Sequence, residues 1–219
     1  MSTPAGSSQR VSTNQGGTHP NLLGLLARRQ KAQHHYSYPH DEAFAALKHQ
    51  IEEHNGPLIL DSGCGTGAST ERLAQANPKA LVIGIDKSKD RLRRKPTSIC
   101  SNAVIQLFEC AHFWHLAQAS RIRFAQHYIL YPNPWPKKKH LARRWHGHAA
   151  FADLLALGGR LELRSNWKIY LEEFAQAAHY LTGLDAHVHR YQPAVLVSPF
   201  ETKYHRSGHQ LFRLVLDLR

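Results

Sequence analysis

A doubly wound α/β fold, with about seven strands in a central, mostly parallel sheet forming a single domain, follows from three observations. Short apolar runs recur along the chain, separated by stretches with helical hydrophobic spacing. Several runs end abruptly at an acid, a glycine-rich turn or a proline cluster. The interval between successive runs leaves room for a helix each time, which is the pattern of βαβ units with helices on both faces of the sheet.

Residues 1–20 are small and polar and read as a disordered tail. Residues 21–54 read as a basic arm followed by a helix. Over 41–54, Phe44, Ala45, Leu47 and Ile51 recur at helical spacing, and Asn55-Gly56-Pro57 ends that helix. The domain proper spans 55–219. Leu58-Ile59-Leu60 is a first strand ending at Asp61, and a helix is expected over 69–76. A second strand over 81–85 ends at Asp86 and leads to a basic helix over 87–94, closed by Pro96. Strands over 104–108 and 127–131 follow, with a helix over 112–119 between them. A helix over 149–157 stops at Gly158-Gly159, a strand occupies 160–164, and a helix 170–181. Residues 195–197 and 211–216 are further strand candidates. Ligands of such sheets bind beyond the carboxyl ends of the strands. That directs attention to 61–67, 86–87, 109–111, 131–137 and 165–167.

Composition narrows the functional classes. The formal net charge is +12, with 17 histidines besides, which favours an anionic partner, a phosphate backbone first. Three cysteines without a CxxC pair argue against a disulfide framework or a structural zinc and for a reducing, cytoplasmic setting. His34-His35 and His146-Gly147-His148 lack a third ligand at zinc spacing, so no metal is expected. The apolar run from Leu22 to Ala27, broken by Gly24, is too short for a membrane span or a signal segment. The first forty residues hold no acid but little arginine, and read as a flexible arm rather than a transit peptide.

The turn Asp61-Ser62-Gly63-Cys64-Gly65-Thr66-Gly67 departs from the dinucleotide fingerprint, whose third glycine comes one place later, and lacks the GK[ST] of a triphosphate loop. Its D-x-G-x-G-x-G spacing resembles motif I of class I S-adenosylmethionine-dependent methyltransferases. That resemblance implies S-adenosylmethionine as cofactor. Asp61 would hold its cationic amino-acid end, directly or through a bound water, and Gly63, Gly65 and Gly67 would admit it closely. Asp86, twenty-five positions later at the end of the second strand, is placed to accept both ribose hydroxyls. Glu109 or Cys110, at the end of the third strand, falls where the family places an acid near the adenine.

The fourth strand runs into Tyr131-Pro132-Asn133-Pro134-Trp135-Pro136-Lys137-Lys138-Lys139-His140 and then Arg143-Arg144-Trp145. Downstream lie Ser165-Asn166-Trp167 and Thr202-Lys203-Tyr204-His205-Arg206-Ser207-Gly208. These three spaced segments resemble the tRNA (guanine-N7)-methyltransferase family, with its Pro-Asp-Pro-Trp, Thr-Asp-Trp and Thr-Lys-Phe-Glu-Arg-x-Gly signatures. The resemblance covers about residues 55–217. It implies tRNA as partner, Asn133 as candidate catalytic residue close to the cofactor, and Lys137, Asn166, Thr202, Lys203, Tyr204 and His205 as acceptor-binding residues. Where the family has Asp, Asp and Glu, this chain has Asn133, Asn166 and His205, so each departure removes a negative charge from the implied guanine pocket.

Methyl transfer to N7 tolerates such losses, because N7 carries an in-plane lone pair and no proton to remove. Two other readings accompany this one. Asn133-Pro134-Trp135 is similar to the Asn-Pro-Pro-aromatic motif of methyltransferases acting on exocyclic base amines. A catalytically weakened RNA-binding or partner subunit would also tolerate three lost acids. Lys137, Lys138, Lys139, Arg143 and Arg144 are expected to meet tRNA phosphates, with Arg91, Arg93, Arg94 and Lys95 as a second basic stretch. Trp135 either stacks on a base or pins the loop, and Cys64 is a packed side chain.

Overall fold

The computed structural model describes residues 8–31, 42–94 and 100–218. His34, His35, Asp41, Lys95 and Pro96 lie outside the described residues. Seven strands, β1 (Leu58–Ser62), β2 (Leu81–Asp86), β3 (Ala103–Leu107), β4 (Gln126–Leu130), β5 (Gly159–Ser165), β6 (Val188–Tyr191) and β7 (Leu211–Leu218), form one sheet in the order β3-β2-β1-β4-β5-β7-β6. The first five pair in parallel, and β7 lies antiparallel between β5 and β6. Strand order reverses between β1 and β4, and a ligand crevice opens beyond such a reversal.

The helices are α1 (Leu22–Lys31), α2 (Glu42–Glu53), α3 (Ala68–Ala76), α4 (Lys89–Leu92), α5 (Cys110–Ala119), α6 (Phe151–Ala156), α7 (Lys168–Thr182) and α8 (Pro199–Arg206). Two 3-10 turns, Lys138–Arg143 and Trp145–Gly147, follow β4. In α7 the buried residues Tyr170, Leu171, Phe174, Ala177 and Ala178 repeat at helical spacing, and Gly183 at φ 73° ends the helix. Helix α3 packs closely on β2 because residue 84 is glycine: a Cβ there would meet Thr70 Oγ1 at 2.2 Å. No helix among the described residues is long and apolar enough to cross a membrane.

Two local expectations need correction, and one segment left unassigned gains a structure. Residues 195–197 do not form a strand, and Val195 is 67% exposed. Their branched side chains favour extended backbone, but their polar groups are engaged elsewhere. Arg72 Nη1 donates to the Leu196 and Val197 carbonyls at 2.8 and 2.9 Å, and the Val197 amide donates to Glu201 Oε2 at 2.8 Å. The sixth strand is β6 instead. The segment holding Thr202 to His205 is the helix α8, whose start has a capping signature. Ser198 Oγ accepts from the Glu201 amide at 3.1 Å and Pro199 occupies the first turn. Residues 8–20 of the expected tail carry no helix or strand but lie against the domain, with Gln15 buried. Their hydrogen bonds reach a carbonyl and a carboxylate far along the sequence, which a compositional reading does not detect.

Candidate active site

The strand reversal opens into a cavity of about 740 Å³, walled on one side by the turn after β1 and the ends of β2 and β3, and on the other by the loop after β4 and by α8. The three glycines of the turn adopt φ of 79°, 64° and 79°, a region that side chains with a Cβ resist. Their roles differ. Gly63 lines the cavity, and a Cβ there would meet nothing within 4 Å. Gly65 donates its amide to Asp86 Oδ2 at 2.9 Å. Gly67 starts α3 with no room behind it: a Cβ would fall 2.2 Å from Ile105 Cδ1. Gly67→Ala is therefore expected to lower stability by about 1–3 kcal/mol through overpacking and strain, readable by urea unfolding. The same change at Gly63 should act mainly through backbone strain.

Asp61, expected at the cofactor, is buried behind the turn. Its Oδ2 accepts from Ser69 Oγ at 2.6 Å and Thr70 Oγ1 at 2.8 Å, so it ties β1 to the first turn of α3. Burial raises its pKa to about 6, against the two hydroxyl bonds that lower it. Asp86 lies on the cavity wall but is engaged within the chain. Oδ1 accepts from the Ser88 amide at 2.8 Å and from Arg91 Nε and Nη2 at 3.2 and 2.8 Å. Arg91, read as part of an RNA-facing stretch, thus belongs to the cavity. Glu109 and Cys110 both reach it. Glu109 caps α5 by accepting from the His112 amide at 3.1 Å, and burial pushes the Cys110 thiol up. At the floor, Trp114 Nε1 donates to Ser62 Oγ at 2.9 Å, which sits 2.8 Å from His127 Nε2. Burial depresses the His127 pKa to about 3, keeping that ring neutral.

The facing wall is aromatic. Tyr131 and Trp135 hold φ of 53° and 45°, strained values for bulky residues, on either side of the exposed Asn133. Asn133 Oδ1 accepts from the Trp135 amide at 3.3 Å. The Arg143 guanidinium lies 4.8 Å from the centre of the Trp135 ring. Tyr204 closes the wall from α8, 5.5 Å from Tyr131 and stacked between Phe200 and His209 at 6.1 and 5.2 Å. Tyr170 accepts from the Trp145 amide at 3.1 Å and lines the cavity beside it.

Several expected acceptor residues do not meet there. Lys137, Lys203 and His205 are exposed and off the cavity wall. Thr202 donates its hydroxyl to the Ser198 carbonyl at 3.1 Å within α8. Asn166 sits in a separate cleft of about 270 Å³ with Arg10 and Trp167, its Nδ2 2.9 Å from His209 Nδ1. Arg144 is not a phosphate ligand. It is fully buried, paired with Glu173, and stacked 4.8 Å over Trp167. Burial alone would raise the Glu173 carboxyl, but His146 and Arg144 hold it down to about 2. His146 is likewise committed to Glu173, at 2.8 Å.

The sequence reading missed Glu201, which is fully buried and holds α8 to the strand ends. Tyr131 Oη donates to its Oε1 at 2.9 Å, and Arg164 Nη1 donates to both oxygens at 3.0 and 3.2 Å. The capping pattern Ser198-Pro199-Phe200-Glu201 was the signal available for the helix; nothing local marks the partners.

Comparison with known proteins fits this geometry. The family model described as "Putative methyltransferase" matches residues 55–214. A Streptococcus agalactiae protein named tRNA (guanine-N(7)-)-methyltransferase is 25% identical over 193 residues, covering 82% of this chain and 90% of that protein. A protein of the same name from Shewanella oneidensis is 27% identical over 173 residues, covering 73% and 71%. Among solved structures, one titled as an antibiotic-related methyltransferase superposes with a TM-score of 0.57 at 17% identity, covering 82% of this chain and 95% of that one. The 16S rRNA methyltransferase KamB gives 0.56 at 17%, covering 79% and 93%. At such identities the structures speak to the fold, while the family match spans both walls of the cavity. The chain belongs to this methyltransferase family and is a divergent relative of the tRNA (guanine-N(7)-)-methyltransferases.

Proposed function

We propose that this chain transfers a methyl group from S-adenosylmethionine to N7 of a guanine in tRNA. The observation that carries the reading is the shared cavity: Gly63, Asp86, Glu109 and Cys110 face Asn133, Trp135, Arg143 and Tyr204 across one space. The open side of Gly63 and the carboxylate of Asp86 suit a bound nucleoside, and a sulfonium donor supplies an electrophilic methyl without further activation. Asp86 takes the ribose hydroxyls by exchanging them for Arg91. Glu109 and Cys110 border the adenine.

On the acceptor side, the chain's work is positioning. Holding a base in line with the methyl is worth up to about 7–11 kcal/mol in the best-oriented cases. Trp135 and Tyr204 offer faces for stacking, and Asn133 Oδ1 can exchange the Trp135 amide for a guanine N–H. An amide oxygen makes that bond about half as strong as a carboxylate would. Arg143 and the exposed Lys137, Lys138 and Lys139 supply positive charge for the tRNA backbone, and the reaction belongs in a cytoplasmic setting. Radiolabelled cofactor with bulk tRNA, followed by nucleoside mass spectrometry, tests the reading. 7-Methylguanosine is expected, and no incorporation at high enzyme concentration would overturn it.

The exposed Asn133 at the strand end favours one second reading, methylation of an exocyclic amine. N2-methylguanosine or N6-methyladenosine in the same experiment would establish it. Cofactor binding without turnover on any RNA would instead indicate a partner subunit.

The environment of Asp61 gives a pH signature. Its folded pKa of about 6 lies above the ordinary 3.8, so the folded state keeps the proton longer than the unfolded chain. That contribution to stability is complete below about pH 4 and is lost as pH rises through about 6. The negative charge behind the turn appears over that rise. Affinity for the cationic cofactor should therefore increase between about pH 5 and 7, and Asp61→Asn should flatten the profile. Isothermal calorimetry across that interval reads both.

A further inference from the structure

Residues 8–20 hydrogen-bond to the loop after β4, to helix α7 and to the end of α8. At one end, the Ser8 amide donates to Ser207 Oγ at 3.3 Å, and its carbonyl lies 2.9 Å from His209 Nε2, the ring that meets Asn166. Further along, Thr13 Oγ1 donates to the Pro136 carbonyl at 2.8 Å. Gln15, 5% exposed, enters the Arg144–Glu173 pair. Its Oε1 accepts from Arg144 Nη2 at 3.1 Å, and its Nε2 donates to Glu173 Oε1. The His19 amide adds a second bond to that oxygen at 2.9 Å. Arg144 in turn donates Nε and Nη2 to the Trp135 carbonyl at 3.2 and 3.1 Å.

A tryptophan at φ 45° keeps that conformation only where its surroundings hold it. Here two consecutive carbonyls are held, that of Trp135 by Arg144 and that of Pro136 by Thr13. We propose that Thr13 and Gln15 are positioning residues: the strap that carries them fixes the loop 133–136 in the shape that presents the acceptor base to the cavity. The functional part rests on the acceptor reading above. Neither residue lines the cavity, and both act through the loop. Glutamine suits its place because one side chain accepts from a guanidinium while donating to a carboxylate, which neither an acid nor a lysine can do.

Full-length Thr13→Val and Gln15→Ala are compared with the parent in three measurements: calorimetry with S-adenosylmethionine, steady-state methylation of tRNA, and hydrogen exchange. Thr13→Val keeps the side-chain shape and decides the matter should Gln15→Ala fail to fold. Cofactor affinity is expected to stay within about twofold of the parent, while KM for tRNA rises about fivefold or more. The amides of Trp135 and of residues 137–145 should exchange several-fold faster. Thr13→Ser should restore both. Unchanged exchange in that loop overturns the proposal whatever the activity, and so does faster exchange with parental KM and kcat. Faster exchange in variants of a parent that methylates no tRNA supports the strap's hold on the loop and overturns the acceptor reading instead.

Discussion

Arg144→Met should lower folding stability by about 3–5 kcal/mol, the usual consequence of leaving one member of a buried ion pair alone. Arg144 and Glu173 are both fully buried, so no water can take the place of the missing guanidinium. His146, Gln15 and the His19 amide would remain around the carboxylate, and none carries a fixed positive charge. The penalty arises from the stranded charge more than from lost attraction. The double variant Arg144→Met, Glu173→Leu should therefore recover a large part of it. Urea denaturation measures both, and a single variant within about 1 kcal/mol of the parent would contradict the account. Methylation should fall even where the protein folds, because the Trp135 carbonyl loses both of its donors.

The second large effect is expected at Asp86. Its carboxylate accepts from the Gly65 and Ser88 amides and from Arg91, so it fixes the glycine turn as well as facing the cavity. Asp86→Ala removes two hydrogen bonds to a charged group from the bound state, each worth about 1.5–3 kcal/mol. The dissociation constant for S-adenosylmethionine should rise by about two orders of magnitude or more. Arg91→Ala separates the two roles. It leaves the carboxylate and the turn in place, and removes the side chain that competes with the ribose for Oδ1. Its affinity should remain within about tenfold of the parent. Equal losses in the two variants would mean that the ion pair, rather than the carboxylate, organises the site.

The donor half of the molecule was legible in the sequence because its signals are local. β1 and β2 are buried runs, and the turn after β1 needs glycine at three positive φ values. Asp86 lies at a strand end, where period and position agree. The acceptor half was less legible. Val195 to Val197 has strand composition, but Arg72 and Glu201 take its polar groups. Arg144 looked like one more charge in a basic block, and only the burial of Glu173 twenty-nine positions away distinguishes it from Arg143. Asp61 was identified at the right turn, but its bonds to Ser69 and Thr70 at the start of α3 were not, since a hydroxyl in a helix carries no mark of its partner. Gln15 had no sequence signal at all. A glutamine in a polar stretch looks the same whether it is solvated or sealed between two charges.

The strand order β3-β2-β1-β4-β5-β7-β6 splits the sheet at the reversal beside β1. Strands β1 to β3 and their turns come from one continuous stretch, and the segments after β4, after β5 and around α8 come from the next. Asn133, Asn166 and His205 all belong to the latter. Substitutions at these three positions therefore leave the stretch that carries Gly63 and Asp86 unaltered. What fixes the backbone of the later stretch lies out of sight of solvent: the interior salt pairs Arg144–Glu173 and Arg164–Glu201.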